Sequence, residues 1–240
     1  DNGPGSLLVL HLLAEAGADL GQKHDGRTVA EWHASRDATA LLAYIDGDAA
    51  TRAQAALLAA VLRGDAVAVR AALAAGADPN AGTAESTFYG EGSYGTSATD
   101  DGGPLHLAAL VDAPAEVVAA LVEGGAHPDG VNEVGQPALT LAAERGHLRA
   151  TRALLAAGAS AEGGDARPFL GMAPLHFAAL GGYAAVLQVL LDAGAEPTYT
   201  TNGTMGMGYN ALGYAIHGGH LDAVRVLLDA GMGTEVSGEV

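Results

Sequence analysis

The chain contains no cysteine and a single lysine, Lys23, and only 16% of its residues are charged. Without cysteine it can form no disulfide, no zinc–thiolate site and no thiol nucleophile. Lys23 does not belong to a G-x-x-x-x-G-K-[ST] phosphate loop, and the sequence contains no G-x-S-x-G nucleophile motif. His217 and His220 are spaced i, i+3, but the intervening Gly218-Gly219 breaks the helix that would align them, and the other histidines and acidic residues form no complete metal-site pattern. We therefore predict no catalytic residues, no cofactor and no metal, and we expect that the protein is not an enzyme.

Basic residues are also scarce. Eleven Lys and Arg face 28 Asp and Glu, which gives a net charge of −17. Such a surface repels a phosphate backbone, so nucleic acid is excluded as an expected partner. The longest apolar stretches, such as residues 7–13, are far shorter than the roughly 20 residues that cross a bilayer, and we expect no membrane insertion.

Hydrophobic residues, by contrast, make up 49% of the chain, which is enough to form a core and argues against general disorder. The sequence does not settle the compartment. The cytoplasm is expected from base rates alone. Because the chain does not begin with Met, a secreted protein stays open as the alternative.

A repeated pattern organises the chain from about residue 50 onward. Gly-Ala recurs at residues 76, 125, 158 and 194, with Gly231-Met232 as a further copy, and the last three intervals are 33, 36 and 37 residues. An apolar run precedes each copy. About 15 residues before that run lies a second block, Pro-Leu-His-Leu-Ala-Ala at 104–109 and Pro-Leu-His-Phe-Ala-Ala at 174–179, with weaker copies at 138–143 and 211–216.

Each feature of the pattern has a mechanical interpretation. Proline is tolerated in the first turn of a helix, and paired alanines let a neighbouring helix approach closely. Glycines such as Gly146 and Gly219, between the two blocks, supply the positive φ of a tight turn, while the Gly-Ala pair ends the second helix. The unit is therefore predicted to be helix–turn–helix–loop, in an all-α solenoid with at most short β-hairpins at the loop tips.

This pattern resembles the ankyrin repeat family, whose Thr-Pro-Leu-His-x-Ala signature is nearly reproduced at residues 104–109 and 174–179. The resemblance covers residues 50–233 well and residues 7–46 loosely. It implies that His106 and His176 hydrogen-bond to the backbone between repeats, a role that Thr140 and Gly213 have lost. It also places His147 and His220 in the turn between two helices, where the family uses histidine for capping.

Two segments are expected from the register of the repeats. Residues 1–47 have an irregular register and are interpreted as the end of one array. Residues 48–240 are interpreted as a second array with a first helix at 51–62 and three enlarged loops, at 81–102, 160–172 and 196–210.

The enlarged loops hold six of the eleven aromatic residues and three of the four methionines. Rigid rings and methionines among Gly, Ser and Thr are typical of recognition surfaces. The alternative is that the same rings pack beneath their own loops. The residues predicted to bind a partner are Phe88, Tyr89, Tyr94, Phe169, Tyr199, Met205, Met207 and Tyr209.

Both ends of the chain are apolar where a soluble solenoid normally carries a polar cap. Either the chain is a fragment of a longer array, or copies stack head to tail into a fibre or ring. The residues predicted for such self-association are Leu7, Leu8, Leu12, Leu221 and Val226.

These features are compatible with three classes of function. The leading hypothesis is a non-catalytic protein-interaction scaffold that binds a protein partner through a concave face and the aromatic-rich loops. The alternative is the self-assembling structural subunit, and an enzyme comes last because no reactive constellation occurs.

Overall fold

A computed structural model describes residues 49–81, 102–132, 135–163, 171–201 and 208–232. Within these residues the chain forms ten helices, which follow one another in five pairs. The predicted all-α repeat fold is confirmed. The helices are α1 Ala49–Arg63, α2 Ala66–Ala74, α3 Pro104–Leu110, α4 Ala115–Glu123, α5 Ala138–Glu144, α6 Leu148–Ala156, α7 Pro174–Leu180, α8 Ala184–Asp192, α9 Ala211–His217 and α10 Leu221–Asp229.

The helices of each pair are joined by a tight turn that needs a left-handed residue. Glycine fills this position in four of the five described pairs, as Gly64, Gly146, Gly182 and Gly219, with φ between 69° and 73°. In the remaining pair Asp112 adopts φ 49°. The second predicted turn is also confirmed, because the glycine of each Gly-Ala pair after a second helix, and that of Gly231-Met232, has φ between 88° and 98°.

The side chain of Asp112 makes contacts that a glycine in this turn could not make. Its carboxylate accepts a hydrogen bond from the backbone nitrogen of Ala150 at 2.9 Å and lies 3.1 Å from Nε of Arg149. Its own carbonyl accepts a further bond from Arg149 at 2.7 Å. A strained backbone thus lets one side chain bind the next repeat, and the contacts compensate for the strain.

The pairs stack into two layers. First helices contact the first helices of neighbouring pairs, and second helices contact second helices, so one apolar core runs the length of the array. The paired alanines lie where two repeats approach closely, and Ala108, Ala142 and Ala178 are fully buried. The sequence interpretation of these small residues as a thin packing face is consistent with their burial.

Only traces of β structure occur in the described residues. Val131 and Pro137 form an isolated antiparallel bridge, and the nitrogen of Thr201 donates to the carbonyl of Tyr209 at 3.1 Å. Both contacts close the base of a loop. None of the described helices has the length and apolar character that crossing a bilayer requires.

The proposed division of the chain is untested. Residues 1–47 lie outside the described residues. The first helix of the described array begins at Ala49 rather than at the predicted 51 and ends at Arg63. The three loops predicted to be enlarged all fall between one helix pair and the next.

Candidate interaction surface

One face of the first helices is apolar and open to solvent. In the second and fourth described repeats, the positions two, five and six residues after Leu105 or Leu175 are at least partly open to solvent. Leu107, Leu110 and Phe177 also pack against the core, and the residues equivalent to Leu107 in the other repeats are buried. We call this the first-helix surface and define it by its half-buried or exposed apolar members, Leu62, Leu107, Leu110, Val111, Phe177 and Leu180.

Polar residues interrupt this surface in the third and fifth described repeats. Glu144 and Arg145 occupy the positions of Leu110 and Val111, and His217 occupies the position of Leu180; all three are exposed. The surface is therefore apolar in its first, second and fourth repeats and polar in the third and fifth. A partner that lies along it must match both kinds of contact.

Buried histidines attach the loop bases to the array. Nε2 of His106 lies 2.9 Å from the carbonyl of Gln136, and Nε2 of His176 lies 2.9 Å from the carbonyl of Tyr199. In each case the histidine belongs to one repeat and the carbonyl to the segment that precedes the next first helix. These are the bonds between repeats that the resemblance implies.

A second row of bonds links consecutive loops. The side-chain oxygens of Asn80, Asp129 and Glu162 occupy equivalent positions and accept bonds from the backbone nitrogens of His127, Ser160 and Glu196 at 2.9, 2.8 and 2.6 Å. Each loop base is thereby fixed to the next. These hydrogen bonds run from repeat to repeat along one edge of the array.

The rings of Tyr199 and Tyr209 pack at the base of the last loop. Both lie edge-on to neighbours: Tyr199 to His176 with ring centroids 5.5 Å apart, and Tyr209 to Tyr214 with centroids 5.7 Å apart. Both residues are half-buried, and Tyr209 contacts the core. The rings therefore help to hold the base of this loop against the array.

Two histidines in the turns between paired helices, His147 and His220, hydrogen-bond to the repeat that precedes their own. Nδ1 of His147 lies 2.8 Å from the carbonyl of Ala109, and Nε2 of His220 lies 2.9 Å from the carbonyl of Leu180. These carbonyls lie at the end of the preceding first helix, where backbone acceptors lack an intrahelical partner. The capping that the resemblance implies is therefore of the neighbouring repeat, since neither ring caps its own helix.

This geometry agrees with the comparison to known families. A family model described as ankyrin repeats (3 copies) matches residues 105–201 and residues 171–238, which together span more than half of the chain. The chain belongs to the ankyrin repeat family. Members of this family are typically non-catalytic and mediate protein–protein interaction. A comparison with curated proteins gives no match.

The ankyrin array contains only some of the residues predicted to act in binding. Tyr199 and Tyr209 lie at the base of a loop, as described above. Leu221 begins α10 and is 62% exposed, whereas Val226 is half-buried and packs against the core. The remaining predicted residues lie outside the described residues: Phe88, Tyr89, Tyr94, Phe169, Met205, Met207, Leu7, Leu8 and Leu12.

Sequence reasoning named none of the apolar residues on the first-helix surface. A signal existed for all of them except Leu62, because the others lie at fixed distances from a Pro-Leu-His block and their helical face follows from that distance. Leucines in such a block are usually read as core. Which of these leucines are buried depends on how adjacent ankyrin repeats stack.

Within the described ankyrin repeats, no group of three or more His, Asp and Glu side chains could hold a metal ion.

Proposed function

We propose that this chain is a non-catalytic scaffold that binds another protein along the first-helix surface and the neighbouring loop bases. The observation that carries the proposal is the exposure of large apolar side chains in line across the repeats. Leu62 and Leu180 occupy equivalent positions, and each is 38% exposed. About half of the exposed positions of the second helices carry charged residues instead, such as Glu116, Arg149 and Asp222.

The loop bases extend this surface. Tyr199 and Tyr209 are half-buried aromatic residues at the base of the last loop. Aromatic rings are typical anchors in interfaces, and these two would extend the first-helix surface. The loop tips carry the aromatic and methionine residues that the sequence predicts as contacts. Their contribution rests on composition, and it is tested separately below.

A pair of apolar-to-glutamate variants tests the surface. Leu180→Glu with Leu110→Glu places two charges on the first-helix surface, where desolvating them should abolish partner capture. Val67→Glu makes the same change on a second helix, at a side chain that is 77% exposed, and should leave capture intact. The measurement is affinity capture from an extract of the native source, followed by mass spectrometry. Both variants must keep the wild-type melting temperature.

Equal capture by both variants would contradict the proposal. A Tyr89→Ala, Tyr94→Ala variant extends the comparison to the first long loop. It should weaken capture without lowering the melting temperature if those rings bind. It should lower the melting temperature if they pack.

A specific observation also favours self-assembly as a second candidate function. Ile216 is 50% exposed, whereas the equivalent alanines Ala109, Ala143 and Ala179 are fully buried by the repeat that follows each. Leu221 and Leu228 of the same repeat are exposed as well. This end of the described array therefore presents the apolar face that repeats elsewhere use for stacking, and a second copy would cover it.

Self-assembly predicts a concentration-dependent increase in mass in sedimentation velocity. Ile216→Glu with Leu221→Glu should return the protein to monomers, because stacking would bury both charges. Leu180→Glu, away from that end, should assemble like the wild type. A wild-type protein that stays monomeric at high concentration would exclude this candidate.

A further inference from the structure

Two histidines lie deep between repeats, in places where a positive charge has no support. His106 and His176 are 1% and 0% exposed. Each belongs to the first helix of one repeat and binds the segment leading to the next. Stacking of the repeats thus buries both rings.

The hydrogen bonds determine the protonation state of His176. The carbonyl of Tyr199 can only accept, so Nε2 carries the hydrogen. Nδ1 accepts a bond from the backbone nitrogen of Ala173 at 3.1 Å, so its lone pair is in use. A proton on Nδ1 would face another donor and break this contact. The folded site accordingly requires the neutral ring.

The folded site of His106 also requires a neutral ring, for a different reason. Its Nε2 donates to the carbonyl of Gln136, while Nδ1 is buried without a hydrogen-bond partner in the described structure. A proton on Nδ1 would create a buried donor with no acceptor as well as a buried charge. Both are costly away from water.

The groups around each ring do little to offset this cost. His176 faces the rings of Tyr199 and Tyr214 edge-on, and among the described residues the carboxylate of Glu162 favours its protonation. Burial outweighs that carboxylate and the bond to Tyr199, and it lowers the pKa of His176. Around His106 the bond to Gln136 is the opposing effect, and burial lowers the pKa from 6.5 to about 4.

From this geometry we infer that His106 and His176 make the stacked array proton-sensitive: the repeats stay stacked while both rings are neutral, and mild acid favours an open, protonated form. The inference reaches beyond partner binding, because it concerns the array itself. It identifies the junctions after the second and fourth described repeats as the places where acid acts.

The direction of the pH dependence follows from proton linkage. An unfolded histidine binds a proton below about pH 6.5, whereas folded His106 does so only near pH 4. Full stability is therefore present above pH 6.5 and is lost as the pH falls toward 4. For His106 alone, the unfolding equilibrium constant should rise about 20-fold between pH 7 and pH 5.

Other acid effects must be separated from this one. As carboxylates take up protons, the net charge of −17 moves toward zero. This change by itself reduces the repulsion between like charges and stabilises the folded state. A matched set of variants isolates the histidines. His106→Gln and His176→Gln each keep a donor where Nε2 lies but cannot titrate. His147→Gln changes a half-buried turn histidine that uses one ring nitrogen to bind the neighbouring repeat.

The experiment is urea unfolding of the full chain and these variants at pH 7 and pH 5. Wild type and His147→Gln should show the same rise in the unfolding constant, and His106→Gln should show a rise about 20-fold smaller. His176→Gln should also show a smaller rise. Equal pH dependence in all four proteins would overturn the inference.

A second measurement needs no variant and keeps the inference testable if a glutamine variant fails to fold. In nuclear magnetic resonance titrations of the folded wild type, the ring signals of His106 should not shift between pH 7.5 and pH 5.5, and those of His176 should shift less than the signals of a free imidazole. Normal titration of both rings, with the fold intact, would refute the inference. Neither measurement involves a partner, so its outcome is independent of the proposed function.

Discussion

Replacing Leu175 by alanine should destabilise the protein by about 2–5 kcal/mol, the usual cost of removing a leucine from a close-packed core. Leu175 lies on α7, is 1% exposed and belongs to the continuous core. The first helix of its repeat contacts the first helices on both sides, so the cavity would weaken two repeat interfaces at once. The free energy of unfolding in urea measures the loss.

The same helix supplies the control. Leu180→Ala removes the same atoms from a side chain that is 38% exposed, so its cost should stay below about 1 kcal/mol. Because repeats interact mainly with their neighbours, Leu175→Ala should also broaden the transition as the array separates near its middle. Similar losses in the two variants would mean that α7 does not pack as described.

The repeat architecture could be predicted from sequence because its signals are local and recur. A glycine between two helical blocks, such as Gly146, predicts a left-handed turn wherever it occurs, and the structure has that turn. His106 and His176 follow a signature whose contact lies one repeat away. Regular stacking makes such contacts predictable, since each repeat offers the next the same backbone.

The environment of Tyr209 could not be predicted in this way. Gly213 stands where the signature has histidine, and the sequence indicates only that the histidine is lost. In the structure a Cβ added at Gly213 would lie 2.8 Å from Cβ of Tyr209, so the missing side chain makes room for this tyrosine. Asn210, one residue after Tyr209, caps the helix by accepting a bond from the nitrogen of Gly213. The side chain of Tyr209, from the loop, thus occupies the space that a side chain at position 213 of the helix would fill. This replacement depends on three-dimensional fit, which the sequence pattern does not reveal.

The first-helix surface was missed for a related reason. Leu175 and Leu180 are both leucines of one apolar helix, and hydropathy treats them alike. Their difference arises from position in the stack, where the neighbouring first helices cover one side chain and leave the other half open. Composition identified the loops as a candidate contact surface, but stacking was needed to find the helical part of it.

Replacing Gly182 by alanine should cost about 2–5 kcal/mol, from backbone strain and steric overlap together. Gly182 has φ 73°, a left-handed conformation in which an L-residue is strained by about 1–2 kcal/mol. A Cβ there would also lie 2.5 Å from Cγ and Nδ1 of His220. The ring would have to move, and its 2.9 Å bond to the carbonyl of Leu180 would weaken or break.

Gly219→Ala separates the two contributions. Gly219 is the equivalent turn glycine of the next repeat and has φ 71°, but an added Cβ meets nothing within 4 Å. This variant should therefore show the strain alone, about 1–2 kcal/mol. The excess cost of Gly182→Ala is then the cost of displacing the histidine ring. Urea unfolding of both variants gives the difference.

A double-mutant cycle tests whether that excess belongs to His220. In a His220→Ala background the overlapping ring is absent, so Gly182→Ala should cost no more than Gly219→Ala does in the wild type. Persistence of the excess in this background would show that another contact causes it. Disappearance of the excess would establish that the turns of adjacent repeats are coupled through a histidine ring lying over a glycine, since only the ring differs between the two backgrounds.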